Sequence, residues 1–139
     1  MIFQLFIGTM VIAATVAIHA EMLNRLTLMM ARVGRFIRHR FPKAAGTWLI
    51  IFCVLFIMLA HTFEVWTWAL VLMATGAVEG LEPAVYFSLV SFTTLGFGDI
   101  ILGKEWRLLS ALIGANGFLL FGWSTAYMVE AIRRVRQES

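Results

Sequence analysis

Three stretches of this chain are long and apolar enough to cross a bilayer, which takes about 20 mostly apolar residues in a helix. Met1 to Leu23 carries no charge before Glu21, Thr47 to Ala77 is interrupted only by His61 and Glu64, and Trp106 to Ile132 completes the set. Of the 139 residues, 61% are hydrophobic and 14% charged, against about 45–50% and about 25% in soluble domains. A chain this short cannot hide that much apolar surface in its own core. The expected fold is an all-α membrane protein whose remaining apolar surface is covered by lipid or by further copies.

Composition excludes several classes. The one cysteine, Cys53, lies inside an apolar run, so no intrachain disulfide forms, and no Cys/His spacing suits a zinc finger. The basic residues do not form the soluble face that a nucleic-acid binder needs, so no nucleic-acid partner is expected. No nucleophile–base pair, phosphate loop or metal-ligand motif suggests an enzyme, and no cofactor is expected.

The basic residues report topology instead. Arg25, Arg32, Arg35, Arg38, Arg40 and Lys43 separate the first two runs, and Arg133, Arg134 and Arg136 follow the third, making nine of the 11 Lys and Arg residues. Short Lys/Arg-rich segments stay cytoplasmic. Three crossings therefore predict a multi-pass membrane protein with the N-terminus outside and both basic clusters and the C-terminus inside. The first run has no basic region before its apolar part, which argues for a retained helix rather than a cleaved signal peptide.

Between the runs, Leu26, Met29, Met30, Val33, Ile37 and Phe41 recur at helical spacing, with most arginines on the other face. This pattern predicts a separate basic amphipathic helix over residues 24–46, lying on the inner leaflet, with Arg32, Arg35 and Arg38 as contacts for anionic lipid. The same arginine spacing resembles a voltage-sensor helix, but topology already accounts for the charges and no acidic helices flank them.

The stretch between the second and third runs is too apolar for an ordinary loop and too short for another crossing. Pro83 to Thr93 is 11 residues, about 16 Å as a helix, or half a hydrocarbon core. A re-entrant helix is expected there, with Pro83 at its start. Thr93-Thr94-Leu95-Gly96-Phe97-Gly98-Asp99 comes next. Alternating glycines allow backbone angles closed to other residues, so that successive carbonyls can point one way and offer oxygen ligands to a cation.

Thr94 to Asp99 resembles the potassium-channel signature TVGYGD, with Leu for Val and Phe for Tyr. The likeness covers residues 47–136 in the order outer helix 47–77, pore helix 83–93, filter 94–99 and inner helix 106–132, preceded by a transmembrane helix at 1–23 and followed by a short cytoplasmic tail at 133–139. The arrangement is similar to small bacterial two-helix-pore potassium channels carrying one extra N-terminal span, a likeness that implies insertion in a bacterial inner (cytoplasmic) membrane. The resemblance implies a homotetramer around one axis, in which carbonyls of Thr94, Leu95, Gly96 and Phe97, with the Thr94 hydroxyl, coordinate K⁺, and Gly98 and Asp99 form the outer mouth. It further implies a pore-helix C-terminus, near Phe92 and Thr93, directed at a central cavity. Two departures stand out. Phe97 lacks the phenol that braces the filter in many relatives, and Val90 replaces a glutamate that in some relatives pairs with the filter aspartate, so Asp99 is expected to take another donor, Tyr86. The alternatives are a weakly selective cation pore and a non-conducting subunit of a larger channel.

The third run holds Gly114, Gly117 and Gly122. By resemblance Gly117 is the candidate gating hinge, while Gly122 and Ala126 suit close helix packing. Asn116, Ser124 and Thr125 are candidates for facing water or neighbouring helices. His61 and Glu64, three residues apart on one helix face, are ionisable groups at mid-span and hence functional candidates. They are read either as a proton-sensitive contact behind the pore helix or as an interhelical hydrogen bond contributing about 0.6–2 kcal/mol. His19 and Glu21, near the end of the first run, are expected to reach the headgroups. With seven residues after Ile132, no cytosolic ligand-binding domain is expected.

Overall fold

At membrane depth each backbone amide and carbonyl must find its partner within the chain, and a computed structural model meets this demand with helix. It describes residues 1–137: α1 (Ile2–Arg40), α2 (Ala45–Ala74), α3 (Leu81–Phe92) and α4 (Arg107–Gln137), with no strand among the described residues. Helices α1, α2 and α4 are long and apolar enough to span a membrane. Helix α3, at 12 residues, is about 18 Å long.

The first two expected elements are one. Residues 1–23 and 24–46 were expected to form a spanning helix and a separate surface helix, but α1 runs unbroken for 39 residues, about 58 Å, well beyond the roughly 30 Å hydrocarbon core. Neither Gly nor Pro interrupts it near Leu23, and the exposed Glu21–Arg25 pair (2.7 Å) spans the junction. Leu23 and Leu26 both pack against Cys53 and Ile57 of α2, so burial continues across the change in composition. The helix stops at Pro42, whose ring disfavours helical geometry at Phe41 (φ −136°), and Arg38, His39 and Arg40 fill its last turn, where cations suit the dipole.

Helix α2 ends three residues before the expected boundary, in a glycine-capped turn. Gly76 (φ 69°) allows Ala77 N–H to reach Leu72 O (2.9 Å) and Gly76 N–H to reach Met73 O (3.0 Å), the Schellman arrangement. Helix α3 starts two residues before Pro83, which sits in the first turn, where amides lack intrahelical partners. Helix α4 extends through residues 133–137, expected as tail. The remaining tail positions, 138–139, lie outside the described residues.

Contacts between α1 and α4 fix their direction. Leu108 N–H donates to Gln4 Oε1 (3.1 Å), Asn116 Nδ2 to Thr15 Oγ1 (2.7 Å), Ser124 Oγ meets His19 Nε2 (3.2 Å), and Tyr127 meets Thr27 (2.8 Å). The separation in sequence stays between 100 and 105 residues, so the two helices run parallel. Gln4, Gly8, Val11, Thr15, His19, Leu23 and Leu26 form the buried face of α1, recurring every three or four residues along one stripe. Asn116 and Ser124 thus turn toward α1, whereas Thr125 stays exposed and bonds its own helix at Phe121 O (2.8 Å). The main core joins Trp68 and Leu72 of α2, Phe87 and Phe92 of α3, and Leu109, Ile113 and Leu120 of α4.

The Thr15–Asn116 contact is buried, and Asn116 Oδ1 has no partner among the described residues. Thr15→Val also orphans the amide nitrogen and should destabilise the protein by about 1–3 kcal/mol. Thr15→Val combined with Asn116→Leu removes both ends and should recover most of that loss. Reversible unfolding in mixed lipid–detergent micelles measures both.

Candidate functional site

After Phe92 the chain leaves the helix but remains tied to it. Thr94 N–H donates to Ser91 O (3.0 Å), and Leu95 and Gly96 N–H both donate to Val90 O (3.1 and 3.3 Å). These bonds spend the amides of the segment on the last turn of α3, which itself has carbonyls left over. Thr94, Gly96 and Gly98 have φ of 61°, 56° and 79°. Every second residue is therefore left-handed, and the conformation returns to the ordinary region at Leu95 and Phe97. The glycines adopt it without strain, while threonine does so at a cost of roughly 1–2 kcal/mol. The sequence pointed to the glycines but not to Thr94, since a β-branched residue gives no sign of a positive φ.

Residues 94–99 are exposed in the single chain, with Leu95 62% and Phe97 65% accessible. Behind them a cleft of about 250 Å³ lies between α3, the loop and the start of α4, lined in part by Tyr86, Val90, Ser91 and Asp99. Tyr86 O–H donates to Asp99 Oδ2 (2.7 Å) across it. This bond holds the Asp99 carboxyl below its ordinary value of 3.8, against a smaller opposing effect of burial, and it pushes the Tyr86 phenol above 10.0.

Gly117 meets the end of α3. A Cβ there would overlap the carbonyl oxygen and carbon of Phe92, with Phe92 Cα at 3.0 Å. Its buried position on α4 lets two backbones touch immediately before the loop. Gly122, expected to pack closely, has nothing within 4 Å of such a Cβ. Close approach within the chain falls at Gly117 instead.

His61 and Glu64 lie together, but with two further partners from other helices. His61 Nδ1 is 2.7 Å from Glu64 Oε2, and His19 Nδ1 is 2.7 Å from Glu64 Oε1. Ser124 Oγ is 3.0 Å from His61 Nε2 and 3.2 Å from His19 Nε2. All four residues are buried, His19 and Glu64 completely. His19, expected at the headgroups, thus sits in the interior, because α1 is longer than a single crossing and places this position beside the middle of α2. Its signal was present in the sequence: Gln4, Thr15 and His19 are polar residues sharing one face of an otherwise apolar helix. Next to this cluster, His61 packs on Phe121 and Phe92 (centroids 4.6 and 5.9 Å), which pack on each other (5.5 Å).

Gly117→Ala is expected to cost about 1–3 kcal/mol by overpacking against a backbone that cannot swing aside, whereas Gly122→Ala should be neutral or slightly stabilising; micelle unfolding distinguishes them. At the Tyr86–Asp99 contact, the Asp99 contribution is lost as pH falls through its lowered value, and the Tyr86 contribution as pH rises through its raised one. The contact is therefore intact over the whole interval between. In Tyr86→Phe the carboxyl should return toward its ordinary value, moving the acid limb of any activity dependent on Asp99 to higher pH, as a pH profile of both proteins would read.

A family model described as ion channel matches residues 45–134, from the first residue of α2 almost to the end of α4. No curated protein and no solved structure matches the chain. The matched region covers well over half of the sequence and contains α2, α3, the loop with alternating φ and α4, so the chain belongs to the ion channel family.

Proposed function

We propose that the chain is one subunit of a homotetrameric, potassium-selective channel, passing K⁺ passively through a filter of backbone carbonyls from Thr94, Leu95, Gly96 and Phe97. The observation that carries this reading is the alternation of left-handed φ at Thr94, Gly96 and Gly98, combined with the amides of residues 94–96 turned back onto α3. Amides spent on the helix leave the carbonyl side of the strand for a cation, and carbonyl oxygens are the ligands that replace the hydration shell of K⁺. One chain supplies one wall of such a path. The exposed Leu95 and Phe97, with Phe118 and Leu119 on α4 (72% and 66% accessible), supply apolar surface for neighbouring copies to cover.

Gly98 and Asp99 form the outer mouth in this reading, with Tyr86 in the bracing role that glutamate has elsewhere. The C-terminal end of α3 points the negative end of its dipole toward the cation path. In this reading the N-terminus lies outside and the C-terminus in the cytoplasm of a bacterial cell, an orientation that the basic clusters support. Arg32 and Arg35, exposed on the basic third of α1, and Arg38 one turn on, then lie within reach of anionic headgroups.

Purified protein in liposomes under opposed K⁺ and Na⁺ gradients tests the proposal. The reversal potential should follow the K⁺ gradient. A value midway between the two ions would favour a weakly selective pore, and absence of flux a non-conducting subunit. Gly96→Ala forces a side chain into φ 56° and should abolish selective flux while leaving the helical circular dichroism unchanged.

A further inference from the structure

The cluster of His19, His61, Glu64 and Ser124 closes a circuit of four hydrogen bonds, and its proton count has a definite solution. Each bond joins one donor to one acceptor, so closure takes four protons. With Glu64 ionised, both imidazoles neutral and Ser124 a hydroxyl, there are three. Both Nδ1–H groups must then point to the carboxylate, both Nε2 lone pairs face Ser124, and its single proton serves only one of them. A fourth proton removes the mismatch. One imidazole becomes doubly protonated and donates through Nε2 to Ser124 Oγ, whose own proton goes to the other Nε2. Moving that proton from the imidazole Nδ1 to Glu64 gives a tautomer with the same four bonds. In either form the net charge of the circuit goes from −1 to zero as the last bond closes, so hydrogen bonding and the cost of a buried charge both favour the same proton.

A metal suits the site less well. The ligand atoms of His19, His61 and Glu64 lie within 4.8 Å of one another and are of the type that binds zinc. A dication would nevertheless leave net charge +1 with both histidines neutral. The 2.7 Å nitrogen–oxygen separations are also shorter than the roughly 3.3 Å between neighbouring ligands around a tetrahedral zinc.

We propose that His19, His61, Glu64 and Ser124 form a buried binding site for one exchangeable proton, and that its occupancy is transmitted to the filter through the contact of His61 with Phe92. The second half rests on the channel reading above, and the first does not. Phe92 is fully buried, its ring lies against His61 and Phe121, and its carbonyl lies against Gly117, two residues before Thr94. Loss of the proton to bulk water leaves an uncompensated charge and an unmatched lone pair beside His61, so the occupied state supports the loop. Conduction falls as pH rises.

Among the described residues no other ionisable group competes at this level. Helix α1 brings only His19, α2 His61 and Glu64, α3 the Phe92 ring, and α4 Ser124 beside Phe121 and Trp123, the last at 5.2 Å from His19. Glu21 is exposed and paired with Arg25, Tyr127 is bonded to Thr27, and Glu130 to Arg134. His39 is exposed in the last turn of α1 and is removed as a control by His39→Gln.

Glu64→Gln makes a sharp test. A glutamine amide donates to one Nδ1 and accepts from the other, reproducing the closed, neutral circuit with no proton to lose. In liposomes containing the full chain, K⁺ flux of wild type and of His39→Gln should fall at least tenfold between pH 5.5 and 9.5, while Glu64→Gln keeps the acid-limb flux across the range. A pH dependence that survives Glu64→Gln overturns the proposal, as does a wild-type flux constant with pH. The ¹⁵N spectrum of histidine in the full chain in lipid bilayers reads the proton count without any flux. Three protons shared among the His19 and His61 rings and Glu64 are expected at neutral pH. Two neutral rings with an ionised carboxylate, two imidazolium rings, or stoichiometric Zn²⁺ uptake by this cluster would each overturn it. Should no flux occur at any pH, the channel reading fails and the spectrum alone decides the proton site.

Discussion

An amide or carbonyl surrounded by hydrocarbon has no water to bond, and this constraint shapes every part of the chain. It makes the three long segments helical and keeps α1 intact past the point where its composition turns basic. It also explains why the one irregular stretch at the end of α3 is fastened so closely. Val90 O accepts from two amides and Ser91 O from a third, so the spare carbonyls at the end of the helix are the acceptors for the chain that follows. An irregular stretch at membrane depth without such fastening would leave its own amides in hydrocarbon, at a cost of several kcal/mol each. The alternation of φ that follows is therefore supported from behind by the helix that precedes it.

The same constraint acts on side chains. A lone carboxylate in a low-dielectric interior costs several kcal/mol even after relaxation, and Glu64 meets that cost by drawing one partner from its own helix and another from α1. Polar contacts at Gln4, Thr15 and Thr27 add further ties along α1. Since lipid competes equally well for apolar side chains, directional contacts of this kind fix which helix lies where and in what register. The seam is parallel to α4 and antiparallel to α2, so a single stripe of α1 is read by both neighbours.

Much of this was legible in the sequence. Hydropathy alone located three spans and the half-length helix, because period and length of apolar runs report directly on what lipid can cover. The loop was legible because glycines at 96 and 98 have few other uses at that depth, and Tyr86 was identified as the partner of Asp99 once Val90 was seen to offer no donor. Other features were hidden. The join between residues 23 and 24 looked like a boundary because charge density changes there, but a helix is broken by Gly, Pro or lost packing and not by charge, and Leu23 and Leu26 share one buried face. A crossing that ends near Leu23 puts His19 close to a headgroup, whereas α1 continues to Arg40. The partnership of His19 with Glu64, 45 residues away, depends on the packing of two helices, which no local pattern records. Gly117 was distinguished from Gly122 only by what stands opposite, the backbone of Phe92.

The boundary of similarity and the boundary of physical integrity differ in this chain. The family match begins at residue 45, at the start of α2, and leaves the whole of α1 outside. Yet one arm of the Glu64 contact, the acceptor for the Leu108 amide and the acceptor for Asn116 all come from that excluded helix. Cutting the chain where the match begins would preserve every matched residue and expose a carboxyl group, a histidine and an amide to acyl chains. The polar groups of the matched region thus find partners in a helix that lies outside the match.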